Sequence, residues 1–305
     1  MSTLSVHVDD YLRLRRNLGY KLEAEDRLLG QLVDYLEAAG STTVTSQLAI
    51  AWARLPATAQ TCHWAKRLSV ARKFCLYLQT VDPAVEVPPT GVFPGRPRRR
   101  TPYAWSDDDV VKVMMAAREL RPRLRAATHE NLFGLLAATG MRLGEAIGLG
   151  RDDVDFASGV ITVRHAKFDR SRLVPLHPST RTALVRYADE RERLCPKAST
   201  FFVSRSGTPL TRSGVDRVFR ELTTSVGLRT TASQPHVHDL RHGFAVACLM
   251  SWQRSGVSID QHIATLSAYL GHVRPEDTYW YLSAAPELME LAAQRLDSRF
   301  GGLVS

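Results

Sequence analysis

Apolar residues in the first ninety positions recur at helical spacing in four blocks. Val8, Tyr11, Leu12 and Leu18 mark the first, which closes at Gly19, and Leu28, Leu32, Tyr35 and Leu36 mark the second, which stops at Gly40. Leu48 and Trp52 follow Ser46, a residue suited to capping a helix, and Leu68, Ala71, Cys75 and Leu78 line a fourth block. A small four-helix domain over residues 1–90 is the economical reading. The period is lost after Asp82, where Val87 to Pro102 reads Val-Pro-Pro-Thr-Gly-Val-Phe-Pro-Gly-Arg-Pro-Arg-Arg-Arg-Thr-Pro, an extended basic linker assigned to residues 91–104. Helical spacing resumes at Trp105. Ser106 and the Asp107–Asp109 run suit the positive end of a helix, and helices continue to Leu149. The runs 154–156, 160–163 and 173–176, with a Ser158-Gly159 turn, predict two or three short antiparallel strands before helices return near Pro178. The expected fold is therefore mainly α with a small antiparallel β-sheet, its second domain spanning 105–305.

Composition narrows the partners. The 305 residues carry 40 Lys and Arg against 31 Asp and Glu, a net charge of +9, which favours a polyanion. No run approaches the roughly 20 apolar residues of a membrane span, and the acidic start does not resemble a signal peptide. A cytoplasmic protein that acts on DNA and does not engage a membrane is expected. Cys62, Cys75, Cys195 and Cys248 are scattered and read as small hydrophobes, not as metal ligands or disulfides.

The linker holds Arg96, Arg98, Arg99 and Arg100, and its Gly95-Arg96-Pro97 core reads either as a minor-groove hook or as a plain basic connector. On the fourth helix, Lys66, Arg67, Arg72 and Lys73 fall away from the apolar stripe. They form either a solvated face or one that follows a phosphate backbone.

Chemistry concentrates in the second domain. Arg142 follows Thr-Gly-Met, where Gly140 can end one helix and the next begins, and Glu145 three residues on can hold its guanidinium. An isolated pair of this kind is more often a surface ion pair. Lys167 falls on a hairpin between two predicted strands, where a lysine is usually just solvated, with Arg170 nearby and Arg172 opening the next strand. His238 and Arg241, in His-Asp-Leu-Arg-His, share a face opposite Leu240, Phe244 and Cys248. His242 forms an i,i+4 pair with His238, a zinc spacing, but the glutamate of His-Glu-x-x-His is absent; hydrogen bonding behind Arg241 is the expected role, and no metal is expected. His272 follows Leu-Gly, and Tyr279 and Tyr281 lie in Asp-Thr-Tyr-Trp-Tyr-Leu. Residues two apart on a helix project about 200° apart, so only one tyrosine can face a common site. Tyr279 and Trp280 read as packing residues.

Six residues, Arg142, Lys167, His238, Arg241, His272 and Tyr281, with the strings around them, resemble the tyrosine recombinases of integrase and Xer-like kind. The specific motifs run from about Trp105 to Ala293; the first ninety residues match by size and helicity alone. The resemblance implies a DNA breaking-rejoining catalytic domain behind a SAM-like core-binding domain that grips DNA from the opposite side. It implies that Tyr281, nine residues after His272, attacks a phosphodiester to give a 3′-phosphotyrosyl link. Lys167 then protonates the leaving 5′ oxygen, and Arg142, Arg241, His238 and His272 neutralise the transition state. Neither metal nor ATP is implied. Expected partners are double-stranded DNA with paired sites and further protomers in a tetrameric synapse, other recombinase subunits among them, and the exchange passes through a Holliday junction. No arm-binding domain is seen before the helical one, which weighs against the longer phage integrases, and the string Asp-Thr-Tyr-Trp-Tyr-Leu-Ser-Ala-Ala-Pro-Glu-Leu resembles mobile-element integrases most, so a mobile-element integrase is the expectation. Xer-like resolution, type IB topoisomerase-like relaxation and a non-catalytic DNA-binding factor are the alternatives. Leu288, Leu291, Ala292 and Leu296 form a tail stripe that packs on its own protomer or docks on a neighbour.

Overall fold

Helices form where the apolar blocks lie: α1 (Thr3–Asn17), α2 (Glu23–Ala38), α3 (Ser46–Arg54) and α4 (Thr61–Leu78). The computed structural model describes residues 2–20, 22–94, 100–164, 171–272, 274 and 276–284. The chain divides into two units, Met1–Arg100 and Thr101–Ser305. In the first, Ser2 caps α1 by accepting from the Ser5 N–H at 3.2 Å. Thr45, not Ser46, caps α3, its hydroxyl accepting from the Leu48 N–H at 3.3 Å. Leu29, Leu32, Leu36, Trp52 and Phe74 fill the core, and each such side chain contributes roughly 1.5–3 kcal/mol by leaving water. Leu18 lies outside it, exposed at the end of α1. Phe93, within the stretch read as linker, is buried against Trp64 at 5.8 Å between ring centroids and belongs to this core.

Two basic residues of α4 depart from the expected outward face. Arg67 is only 6% exposed. Its guanidinium donates to Gln31 Oε1 and to the Trp52 carbonyl, each at 3.1 Å, and lies 4.0 Å over the Trp52 ring. Periodicity assigns an arginine to the polar side, but its stem is apolar and two of its guanidinium nitrogens find acceptors, one of them the Trp52 carbonyl near the end of α3, which offsets the cost of burial. Burial also holds its pKa below the usual arginine value. Arg72 is half-buried and donates to the Pro88 carbonyl. Lys66 and Lys73 face solvent.

The second unit comprises α5 (Asp107–Arg118), α6 (Arg123–Thr139), α7 (Leu143–Ile147), β1 (Val154–Asp155), β2 (Val160–Val163), β3 (Arg172–Pro175), α8 (Pro178–Leu194), α9 (Arg212–Ser225), α10 (Val237–Arg254), α11 (Ile259–Leu270) and α12 (Glu276–Ala284). It is mainly helical with one three-stranded antiparallel sheet in the order β1-β2-β3. Ile161 pairs with Val154 on one side and Val174 on the other, and all three side chains enter the core. Ser106 caps α5 by accepting from the Asp109 N–H at 3.1 Å, as its sequence predicts. The main core joins α6, α8 and α9. Phe133 meets Phe219 at 5.0 Å and Tyr187 stacks on Phe202 at 5.2 Å, while the Tyr187 hydroxyl lies 3.1 Å from that of Thr128. A smaller cluster of Ala245, Leu249, Leu266, Leu270 and Tyr281 packs α10, α11 and α12 together. Among the described residues no helix is long and apolar enough to cross a membrane.

Because Arg67 serves the first core, Arg67→Ala should lower unfolding free energy by about 1–3 kcal/mol through lost packing over the Trp52 ring and the lost hydrogen bond to the Trp52 carbonyl. Lys66→Ala and Lys73→Ala should stay within about 0.5 kcal/mol of wild type. Urea titrations followed by tryptophan fluorescence compare the three; an Arg67→Ala curve that overlays wild type would return this side chain to the surface.

Candidate active site

Two helices that end in glycine frame the site. Gly140 closes α6 at φ 61° and Gly271 closes α11 at φ 67°. This left-handed backbone favours glycine, and space requires it as well. A Cβ at 140 would sit 2.5 Å from the Phe244 ring, and one at 271 would sit 3.1 Å from Arg172 Nη1 and 3.3 Å from Arg142 Nη1.

A helix end leaves its last carbonyls without intrahelical donors. Here three consecutive carbonyls at the end of α11 each accept from a different arginine. Tyr269 O takes Arg172 Nε at 2.9 Å, Leu270 O takes Arg241 Nη2 at 2.7 Å, and Gly271 O takes Arg142 Nη2 at 2.7 Å. The second arm of Arg241 donates to Gly140 O at 2.8 Å, so that one guanidinium joins two helix ends. The negative end of each helix dipole favours these cations.

Glu145 balances the cluster. Its carboxylate accepts from Arg142 Nη1 at 2.8 Å, from the Arg142 backbone N–H at 2.9 Å, and from Arg172 Nη1 and Nη2 at 3.1 and 2.7 Å. Burial alone would raise its pKa. The Arg172 and Arg142 hydrogen bonds and charge outweigh that and hold it at about 2. Arg142 is thus placed at the start of α7, with Glu145 on its own face, as its spacing predicts.

On α10 the backbone N–H of His236 donates to Asp239 Oδ2 at 2.9 Å, which fixes the helix start and therefore the projection of His238 and Arg241. Arg241 is 2% exposed. Burial and then the Arg142 charge lower its pKa, while the nearby Tyr281 and Glu145 push the other way. His238 keeps an open face to solvent. The protein packed around its ring, and then the nearby Arg241 charge, still hold its pKa below the usual imidazole value. His242 is buried, its ring 5.1 Å from Trp280 and 5.0 Å from Tyr281.

His272 follows Gly271 directly, and its Nδ1 lies 2.6 Å from Thr278 Oγ1. Burial first, then Arg241 and Arg142, push its pKa down to about 4. The ring is therefore neutral near pH 7. It stacks on Tyr281 at 5.8 Å with planes 26° apart. Tyr281 is 4% exposed and Tyr279 is 46% exposed, so the tyrosine selected by spacing turns inward and its rival does not pack. Trp280 does pack, against His242 and Tyr281.

Arg142, His238, Arg241, His272 and Tyr281 thus converge with Glu145 and His242 in one place. Lys167 and the linker residues Arg96, Arg98 and Arg99 lie outside the described residues, as do Arg170 and the Leu288–Leu296 stripe. On either side of the stretch that holds Lys167, Val163 pairs with Arg172. Arg100 is described and exposed at the end of the first unit.

Three members of the site escaped sequence reasoning. Arg172 was read as a strand start, and its reach to α11 depends on non-local packing. Arg212 opens α9 with its guanidinium over Gly144, where a Cβ would meet Nη2 at 2.6 Å, and its charge also lowers the His238 pKa. Its only local sign is Thr211, which caps α9 by accepting from the Gly214 N–H at 3.2 Å. Thr278 is a short polar residue in an aromatic helix, with no pattern to distinguish it.

The sequence and the fold have known counterparts. The model of the Phage integrase family matches residues 105–287. A putative integrase/recombinase of Sinorhizobium fredii, y4rB, is 41% identical over 310 residues, covering 98% of this chain and 99% of the relative. Among solved structures, XerH site-specific recombinase bound to palindromic difH substrate superposes with TM-score 0.65 at 19% identity, over 94% of this chain and 83% of that one. The Tn1549 transposon integrase in complex with transposon right end DNA gives TM-score 0.62 at 17% identity, over 97% and 99%. The two structures share the fold.

The low pKa of Glu145 makes its contribution to stability depend on acid. A depressed carboxylate stabilises fully above its unfolded value near 4.5 and loses that contribution as pH falls through about 2. The unfolding free energy of wild type minus Glu145→Gln should be on the order of 3 kcal/mol at pH 6–7. It should shrink steadily below pH 4.5. Denaturant titrations at several pH values measure it, and a gap that stays constant down to pH 2.5 would contradict the assignment.

Proposed function

This chain belongs to the phage integrase family of tyrosine recombinases, and from that premise we propose that it is a site-specific DNA recombinase whose nucleophile is Tyr281. The observation that carries the residue assignment is the burial of Tyr281 against the His272 ring, close enough for its charge to act on Arg241, whose guanidinium two helix-end carbonyls anchor. Attack of the Tyr281 oxygen on a DNA phosphorus forms a 3′-phosphotyrosyl bond as the bond to the 5′ oxygen breaks. The phosphate gains negative charge in the five-coordinate transition state. Arg142 and Arg241 neutralise it through donors fixed in advance, with no reorganisation needed during reaction. His238 and His272 donate further hydrogen bonds, and Arg212 adds positive field at the rim. Lys167 delivers the proton to the departing 5′ oxygen.

Because the phosphotyrosyl bond retains the energy of the bond broken, a 5′-OH from a second strand reverses the step without ATP. Two guanidiniums supply the charge that other phosphoryl-transfer enzymes take from metal ions, so the reaction proceeds without metal. The DNA complexes of XerH and the Tn1549 integrase support double-stranded DNA as partner. On it four protomers cut and exchange one strand pair, then the other, through a Holliday junction. Lys66, Arg72, Lys73 and the Arg96–Arg100 stretch contact phosphates, which position the protein without reading sequence. Near-full-length similarity to an integrase/recombinase supports integration or excision of a mobile element over dimer resolution.

A nicked suicide substrate, which traps the covalent complex by losing the attacking 5′-OH, should give a protein–DNA adduct with wild type in EDTA and without ATP. Tyr281→Phe should give none, and Tyr279→Phe should react normally. Arg241→Lys cannot span two carbonyls and still face phosphate, so cleavage should fall roughly 10²–10³-fold. An adduct that persists in Tyr281→Phe would overturn the nucleophile assignment, and absence of any wild-type adduct would overturn the enzymatic reading.

A further inference from the structure

Thr278 is fully buried on α12, three residues before Tyr281, and its hydroxyl oxygen lies 2.6 Å from Nδ1 of His272. A threonine within a helix commonly returns its hydroxyl proton to the carbonyl one turn back. Among the described residues, the partner of this hydroxyl is an imidazole instead. His272 is neutral near pH 7, so its ring carries one proton and must place it on one of two nitrogens. Which nitrogen holds it decides whether the free side of the ring is a donor or an acceptor.

We infer that Thr278 is a positioning residue: its hydroxyl donates to Nδ1 of His272 and thereby keeps the ring proton on Nε2. The inference rests on the reading of this cleft as a phosphodiester-cleaving site. A phosphate offers acceptors only, so a bare Nε2 would set a lone pair against a phosphate oxygen, whereas Nε2–H adds a neutral donor beside the guanidiniums. The Thr278 proton also finds its acceptor in Nδ1, which satisfies a buried hydroxyl. His272 stacks on Tyr281, so the hydroxyl also fixes the ring plane against which the tyrosine lies. One side chain on α12 therefore sets both the tautomer and the tilt of a ring that follows α11.

The full-length protein with ¹⁵N-labelled histidine tests this without any DNA. Long-range ¹H–¹⁵N spectra at pH 7, with the His272 signals identified by their loss in His272→Asn, should show the Nε2–H tautomer. An Nδ1–H tautomer in wild type would overturn the proposal and would make the ring an acceptor for the Tyr281 proton. Thr278→Val should shift the ring toward a mixture and slow single-turnover cleavage of the suicide substrate roughly tenfold, with unchanged DNA affinity. Thr278→Ser should restore both. If Thr278→Val keeps the wild-type tautomer and rate, the positioning role fails even while Tyr281 remains the nucleophile. If wild type shows the expected tautomer but never forms an adduct, the fault lies with the recombinase reading instead.

Discussion

The carbonyls of Tyr269, Leu270 and Gly271, left without helical donors where α11 ends, are the fixed points from which the site is built. Each would carry a desolvation penalty if buried unpaired. Arg172, Arg241 and Arg142 satisfy them, and in return their flexible side chains are held in single positions. Arg241 extends the arrangement to Gly140, so the ends of two helices far apart in sequence are tied through one planar cation. Both helix ends need glycine, because the turn is left-handed and a side chain there would strike Phe244 or the guanidiniums themselves.

Crowding cations has an electrostatic cost that Glu145, half-buried between Arg142 and Arg172, offsets. Glu145 is driven to a pKa of about 2 by the arginines it holds, and remains charged wherever the protein is folded at ordinary pH. The residual positive field then acts on the histidines. Burial first, and then that field, push His272 to about 4 and lower His238, so the charged form of each ring is disfavoured. A site that already holds its donors in place has little reorganisation left when negative charge develops.

The tyrosine is placed by packing more than by polarity. Tyr281 joins the apolar cluster of α10, α11 and α12, with His242 and His272 on its ring. Its neighbour Tyr279, two residues away on the same helix, turns to solvent as helical geometry demands. The exposure of Tyr279 corrects its reading as a packing residue, while Trp280 does pack.

The amino-acid sequence by itself determined the helical blocks, the short strands, the glycine stops at 140 and 271, and the order of Arg142, His238, Arg241, His272 and Tyr281, because these follow from local periodicity, local backbone chemistry and fixed spacing. Arg67 shows where that reasoning ends: its position on the helical wheel looked polar, and only the neighbouring end of α3 made burial worthwhile. The partners of Arg172, Arg212 and Thr278 lie on other elements or across a turn, and so left no signature in local pattern. The protonation of His272 likewise depends on burial and on cations brought from α10 and from the start of α7. Spacing along the chain names the reactive groups, but hydrogen bonds and charges act through space, and only the tertiary structure decided which of them share it.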